Sequence, residues 1–250
     1  MSNKDSNNPK HMSRRNFLKS SGIAIGGAVL GGAAMSGLWL GKKPAQQQHP
    51  AEQKAADYNQ ALMFFNQEQF FITEAAVERI FPKDELGPGA KEIGVAIYID
   101  HQLAGPWGIN AKDYMMGPFF KGEATQGSQT QLRRADIFTL GLKGLKDYSQ
   151  KKYSKSFQDL AENEQDDVLK VFEKGEEFSL PGISTKTFFN LLYSLTLEGL
   201  YSDPLYGGNK DMMGWELKKY PGNQMSYLDL IEKDGFIHMK PKSLRDHLNH

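Results

Sequence analysis

The chain has 250 residues, of which 39% are hydrophobic, 24% charged and 11% aromatic, and it has no cysteine. That length and composition suit one well-cored globular domain plus extensions rather than a multispan membrane protein, and the missing thiols exclude disulfides, thiolate clusters, covalent haem attachment and a cysteine nucleophile. The formal net charge of zero hides a split: residues 1–43 carry seven Lys/Arg against one acid, which leaves 23 basic and 29 acidic groups in the remainder, a net of −6 that is the wrong sign for a nucleic-acid partner.

Residues 1–45 have the three-part form of an export signal, with a basic stretch, a Gly/Ala-rich apolar run from Gly22 to Leu40, and then polar residues. Arg14 and Arg15, followed by Phe17, Leu18 and Lys19, resemble the twin-arginine (Tat) consensus. The run is diluted by Gly26, Gly27, Gly31, Gly32 and Gly37, which suits a Tat signal better than a Sec signal. No clean Ala-x-Ala site precedes the polar stretch, and 19 residues are about enough to cross a bilayer, so an uncleaved anchor stays open. A route for folded cargo implies a bound cofactor or a carried partner. Residues 46–60 form a polar linker without periodicity.

The body, 61–222, is predicted to hold five helices. Asn66 caps the first, over 67–81, with Gln69 at the capping-box position; Ile72, Ala76 and Ile80 form its stripe and Pro82 ends it. The second spans 90–103 and stops at Gly105-Pro106. Residues 104–127 read as a long loop carrying Trp107, Tyr114, Phe119 and Phe120. A third helix begins after Ser128, with Gln131 completing a capping box and Ala135, Phe138, Leu142 and Leu145 inward. The fourth covers 164–174 with Gly175 as its stop, and the fifth covers 185–200 behind Ser184, with Phe188, Leu191, Leu192 and Leu195 on its core face. No segment sustains a two-residue alternation. The expected fold is therefore all-α, a single compact helical domain with long Gly/Pro/aromatic-rich loops, followed by a polar tail over 223–250.

Chemistry-bearing patterns are sparse. His247 and His250 are at helical spacing but lack a third ligand. Asp203, Asn209 and Asp211 do not match the alternation of a calcium loop, and turn capping is the expected role. Asp100, Glu198 and Asp203, with His101, are the candidates for acid–base work, and ordinary hydrogen bonding is their default. No dinucleotide fingerprint, Walker loop or nucleophile elbow is present. No catalytic residue, metal ligand or cofactor is therefore assigned to this chain, and a partner is expected instead. The aromatic, Gly-rich segments are the candidate partner surface: Trp107, Tyr114, Phe119, Asp203, Tyr206, Gly207, Gly208, Asn209 and Trp215.

The same segments carry a resemblance. Phe81-Pro82-x-Asp84-x-x-Gly87-Pro88-Gly89-Ala90, Tyr98-Ile99-Asp100-x-Gln102-Leu103, Gly117-Pro118-Phe119, Glu198-Gly199-x-x-x-Asp203-Pro204-x-Tyr206-Gly207-Gly208-Asn209, Gly214-Trp215 and Tyr220-Pro221-Gly222 together resemble the gluconate 2-dehydrogenase subunit 3 family, over 64–222. The resemblance implies a small subunit of a periplasm-facing sugar or sugar-acid dehydrogenase on the outer face of the inner membrane. Its implied partners are a large flavoprotein of the glucose-methanol-choline (GMC) type holding FAD, a possible third subunit with haem c, and the Tat translocase that exports the assembly. It implies no catalytic residue to carry over, and the tail after Gly222 matches nothing in it. Two alternatives stay open at this point: a free-standing periplasmic sugar-acting enzyme or binding protein using Asp100, Glu198 and Asp203, and a membrane-tethered scaffold.

Overall fold

The computed structural model describes residues 60–120, 122–126, 129–175 and 178–248. The predicted signal residues Arg14, Arg15, Phe17, Leu18 and Lys19, nearly all of the linker, Ser128 and His250 lie outside the described residues.

The first helix, α1 (Gln67–Ile80), begins as the sequence predicts. Asn66 Oδ1 accepts from the Gln69 N–H at 2.9 Å, and Gln69 Oε1 accepts from the Asn66 N–H at 3.0 Å. The predicted second helix is instead two: α2 (Ala90–Ile93) and α3 (Val95–Ala104). Gly94 divides them, with φ at +83°, a left-handed conformation that ends the first turn and redirects the chain.

The third predicted helix starts later than its sequence signals. It is α4 (Arg134–Tyr153), and the capping carboxylate is Asp136, which accepts from the Arg133 N–H at 3.1 Å. Its exposed first N–H groups are satisfied from a distance: Arg134 N–H donates to Asn110 Oδ1 at 2.9 Å and Ala135 N–H to the Gly108 carbonyl at 3.0 Å. Tertiary contact therefore overrides the Ser128–Gln131 pattern. Next come α5 (Glu162–Lys174), closed by left-handed Gly175, and α6 (Thr185–Tyr201), whose cap Ser184 Oγ accepts from Thr187 N–H at 3.2 Å. A short helix, α7 (Met213–Lys218), and a small antiparallel pair, β1 (Ser179–Leu180) with β2 (Ile183–Ser184), were not foreseen. Two-residue strands are too short to show alternation.

Helix α6 is the axis of the body and packs against α1, α3, α4 and α5. Its inward face delivers Phe188, Leu192 and Leu195, all fully buried. Aromatic rings connect the layers: Phe65 lies 5.7 Å from Phe138, Phe138 lies 5.3 Å from Phe188, and Phe188 lies 6.1 Å from Phe172. Each such buried ring contributes about 1.5–3 kcal/mol through burial alone. Arg79 ties α1 to α5 through Glu162 at 2.7 Å and Asp166 at 2.8 Å, and its hydrogen bond to Asp166 raises its pKa above the usual arginine value. Among the described residues no helix is long and apolar enough to cross a membrane.

Gly141 on α4 admits Phe188, because a Cβ at that position would overlap the Phe188 ring. Gly141→Ala is expected to destabilise the body by about 1–3 kcal/mol, despite the better helix propensity of alanine. Equilibrium urea unfolding checks this.

Candidate partner interface

The expected partner surface divides in two once the side chains are placed. Its first part is the segment after α3. Arg134, at the start of α4, organises it: the guanidinium bonds Asp113 at 2.7 Å, donates to the Trp107 carbonyl at 3.2 Å and stacks over the Trp107 ring at 4.7 Å. Trp107 is half-buried and packs on the core. Held this way, the segment projects its other large side chains outward. Tyr114 is 82% exposed, Phe120 72% and Met116 71%, while Phe119 is partly shielded. Between this segment and α6 runs a groove of about 480 Å³, with Tyr114, Met115 and Phe119 on one side and Thr187, Asn190 and Ser194 on the other. Tyr193 and Leu197, also on α6, are exposed.

Sequence reasoning did not single out Arg134, Tyr193 or Leu197. The last two carried a legible signal. They stand four residues apart on α6 and off its core stripe, which is where an apolar residue is left facing outward.

The second part, around residues 203–215, is mostly internal. Asn209 is fully buried: its Nδ2 donates to the Ser202 carbonyl and its Oδ1 accepts from the Gly214 N–H, both at 2.8 Å. Trp215 is 6% exposed, and its Nε1 donates to the Tyr201 carbonyl at 2.8 Å. Gly207, with φ at +100°, turns the chain beside His101, and Gly208 is buried against the Gly199 carbonyl, where a Cβ would collide. Asp203 Oδ1 caps the 3-10 turn at Leu205 N–H (2.9 Å), and its Oδ2 accepts from Leu244 N–H (2.8 Å). Gly208, Asn209 and Trp215, expected at a partner surface, are therefore placed inside the body. Their polar atoms and close approaches are consumed in latching the end of α6 to residues 202–215. Tyr206, half-exposed, is the aromatic of this stretch that faces outward.

The acid–base candidates are likewise engaged separately. Asp100 is fully buried and accepts three backbone N–H groups, Met63 at 2.6 Å on Oδ2 and Phe64 and Phe65 at 3.0 and 2.7 Å on Oδ1. His101 Nε2 lies 3.1 Å from the Ala61 carbonyl. Glu198 accepts from the Tyr98 hydroxyl at 3.1 Å. Burial first, and then the Glu198 charge, push the Tyr98 pKa well above its ordinary value. Asn209, considered with Asp203 and Asp211 as a calcium pattern, has its carbonyl oxygen occupied by Gly214. His247 Nε2 is 2.7 Å from the Asn223 carbonyl. Among the described residues no three of His, Asp or Glu stand together as metal ligands.

The motif segments thus form a helical body closed by a latch after α6, and the profile of the family described as gluconate 2-dehydrogenase subunit 3 matches residues 67–222. The chain belongs to that family. No curated protein and no solved structure gives a match. The subunit 3 match begins at the first residue of α1 and ends at Gly222, so it takes in the seven α-helices of the described residues and the latch. Membership makes the chain a subunit of a dehydrogenase complex.

Two consequences can be measured. In Asp100→Asn the amide NH₂ faces either the Met63 N–H or the Phe64 and Phe65 N–H groups. A loss of roughly 2–3 kcal/mol in urea unfolding is expected. Tyr98, with its raised pKa, should stay un-ionised in an absorbance titration carried past about pH 10, the ordinary value for a tyrosine. Because the folded pKa lies above the unfolded one, the stability it contributes is complete below about pH 10 and declines as pH rises beyond it. Tyr98→Phe should remove that alkaline slope.

Proposed function

We propose that this protein is the small, non-catalytic subunit of a periplasm-facing, flavin-dependent sugar or sugar-acid dehydrogenase. In this reading it binds the large GMC-type flavoprotein, stabilises it and carries it through the Tat translocase on the signal at Arg14 and Arg15. FAD would reside in the large subunit and haem c, where present, in a third. This chain's own residues do not suit either group. It has no cysteine for a covalent haem, and its sequence has no G-x-G-x-x-G fingerprint of the kind that cradles a pyrophosphate. The complex would work at the outer face of the inner membrane.

The observation that carries this reading is the family match, set beside exposed aromatics at Tyr114, Phe119 and Phe120 on a segment that Arg134 anchors at Trp107 and Asp113. Exposed aromatics on an anchored segment offer large contact area at low ordering cost. Of the acid–base candidates, Asp100 and Asp203 hold backbone N–H groups and Glu198 accepts from the Tyr98 hydroxyl.

Co-expression with the large flavoprotein tests it. The full chain should copurify with a flavin-containing polypeptide, and Arg14→Lys with Arg15→Lys should leave both subunits in the cytoplasm. Tyr114→Ser with Phe120→Ser should weaken the complex at least about ten-fold without changing the melting temperature of the isolated chain. Export of the flavoprotein unchanged in the double-lysine variant, or sugar oxidation by the isolated chain, would refute the reading.

A further inference from the structure

The family match stops at Gly222, yet the chain beyond it is fastened to the body. Asn223 N–H donates to the Lys242 carbonyl at 2.7 Å, and Lys242 N–H returns to the Pro221 carbonyl at 3.2 Å. Leu244 is held by Asp203, His247 by the Asn223 carbonyl, and Ser243 is buried. Gly222 makes the closure possible: its φ is +70°, and a Cβ there would strike both the Lys242 carbonyl and the Trp215 ring. The two ends of residues 223–241 therefore meet on the body, and the residues between them form a closed arm.

That arm is built against burying its own apolar side chains. Phe236 is 90% exposed, and Met225, Tyr227, Leu228, Ile231 and Ile237 also face outward. Together these six expose roughly 700 Å², taking ~180 Å² for a fully exposed large side chain. That approaches the ~800 Å² that each partner contributes to a standard protein interface.

We propose that the arm 223–241 is a second docking element that grips the large flavoprotein subunit. The inference rests on the function proposed above. Charge disfavours two other occupants. The arm carries three acids, Asp229, Glu232 and Asp234, against two lysines, which disfavours an anionic lipid surface. A second copy would bring another acidic body, net −6 outside residues 1–43, against the same acidic arm.

The test uses the full chain co-expressed with the large subunit. One variant replaces residues 225–239 with a short Gly/Ser stretch, keeping the closure at Gly222 and Lys242; a second carries Leu228→Ser, Ile231→Ser and Phe236→Ser. Both should melt within about 2 °C of the parent, since the exposed side chains support no core. Both should bind the large subunit at least about ten-fold more weakly. Binding within about two-fold of the parent overturns the arm's role while leaving the proposed function intact. Failure of the parent chain itself to bind the large subunit overturns both. If the parent binds vesicles of phosphatidylglycerol, or dimerises in sedimentation, and the variants lose that property instead of flavoprotein binding, the arm serves lipid or a second copy and the proposal is wrong.

Discussion

The body depends on one buried charge. Asp100 sits within the apolar interior of α3, where an unpartnered carboxylate would be strongly disfavoured. Three consecutive backbone N–H groups, from Met63 to Phe65, satisfy it. The arrangement is reciprocal, because those N–H groups precede α1 and would otherwise lack partners as the chain enters the core. The same grip seats the Phe65 ring against Phe138, so the first link of the aromatic chain through α6 is placed by an electrostatic contact. His101, the next residue, holds the Ala61 carbonyl and stands beside the Gly207 turn, which brings the start of the body and the latch to the same end of α3.

A cation–aromatic contact sets the character of the exposed surface. Arg134 caps no helix by its own side chain. It pins Trp107 and Asp113 to the beginning of α4, and the loop 104–120 is tethered at its root rather than free. The ion pair at Asp113 restrains the backbone next to exposed Tyr114, which lowers the entropy that side chain would lose on being covered.

The motifs that place this chain in its family identify a fold more than a chemistry. Asp203, Asn209 and Trp215 carry an expectation of partner contact, and Glu198 one of acid–base work set against ordinary hydrogen bonding as its default. Each is instead committed to a backbone group or a neighbouring side chain of the same molecule. A polar side chain beside Gly-Gly in a turn has two uses, holding a ligand or holding the turn, and local sequence looks alike for both. Burial distinguishes them, and burial is decided by elements distant in the chain.

What could be read without coordinates was whatever depends on near neighbours. The Asn66–Gln69 box, the stop at Gly175, the cap at Ser184 and the core stripes of α1, α4 and α6 depend on the next three or four residues, and the family resemblance rests on motifs that can be matched in order. Tertiary structure decided the break at Gly94, the late start of α4 and the inward fate of Asn209 and Trp215. It also decided the closing of the arm at Gly222. Each of these turns on a partner many residues away, or on whether a backbone can bend where glycine allows but does not require it. The physical reason is that a hydrogen-bond donor or an apolar ring carries no label for its partner. Only packing the whole chain assigns one.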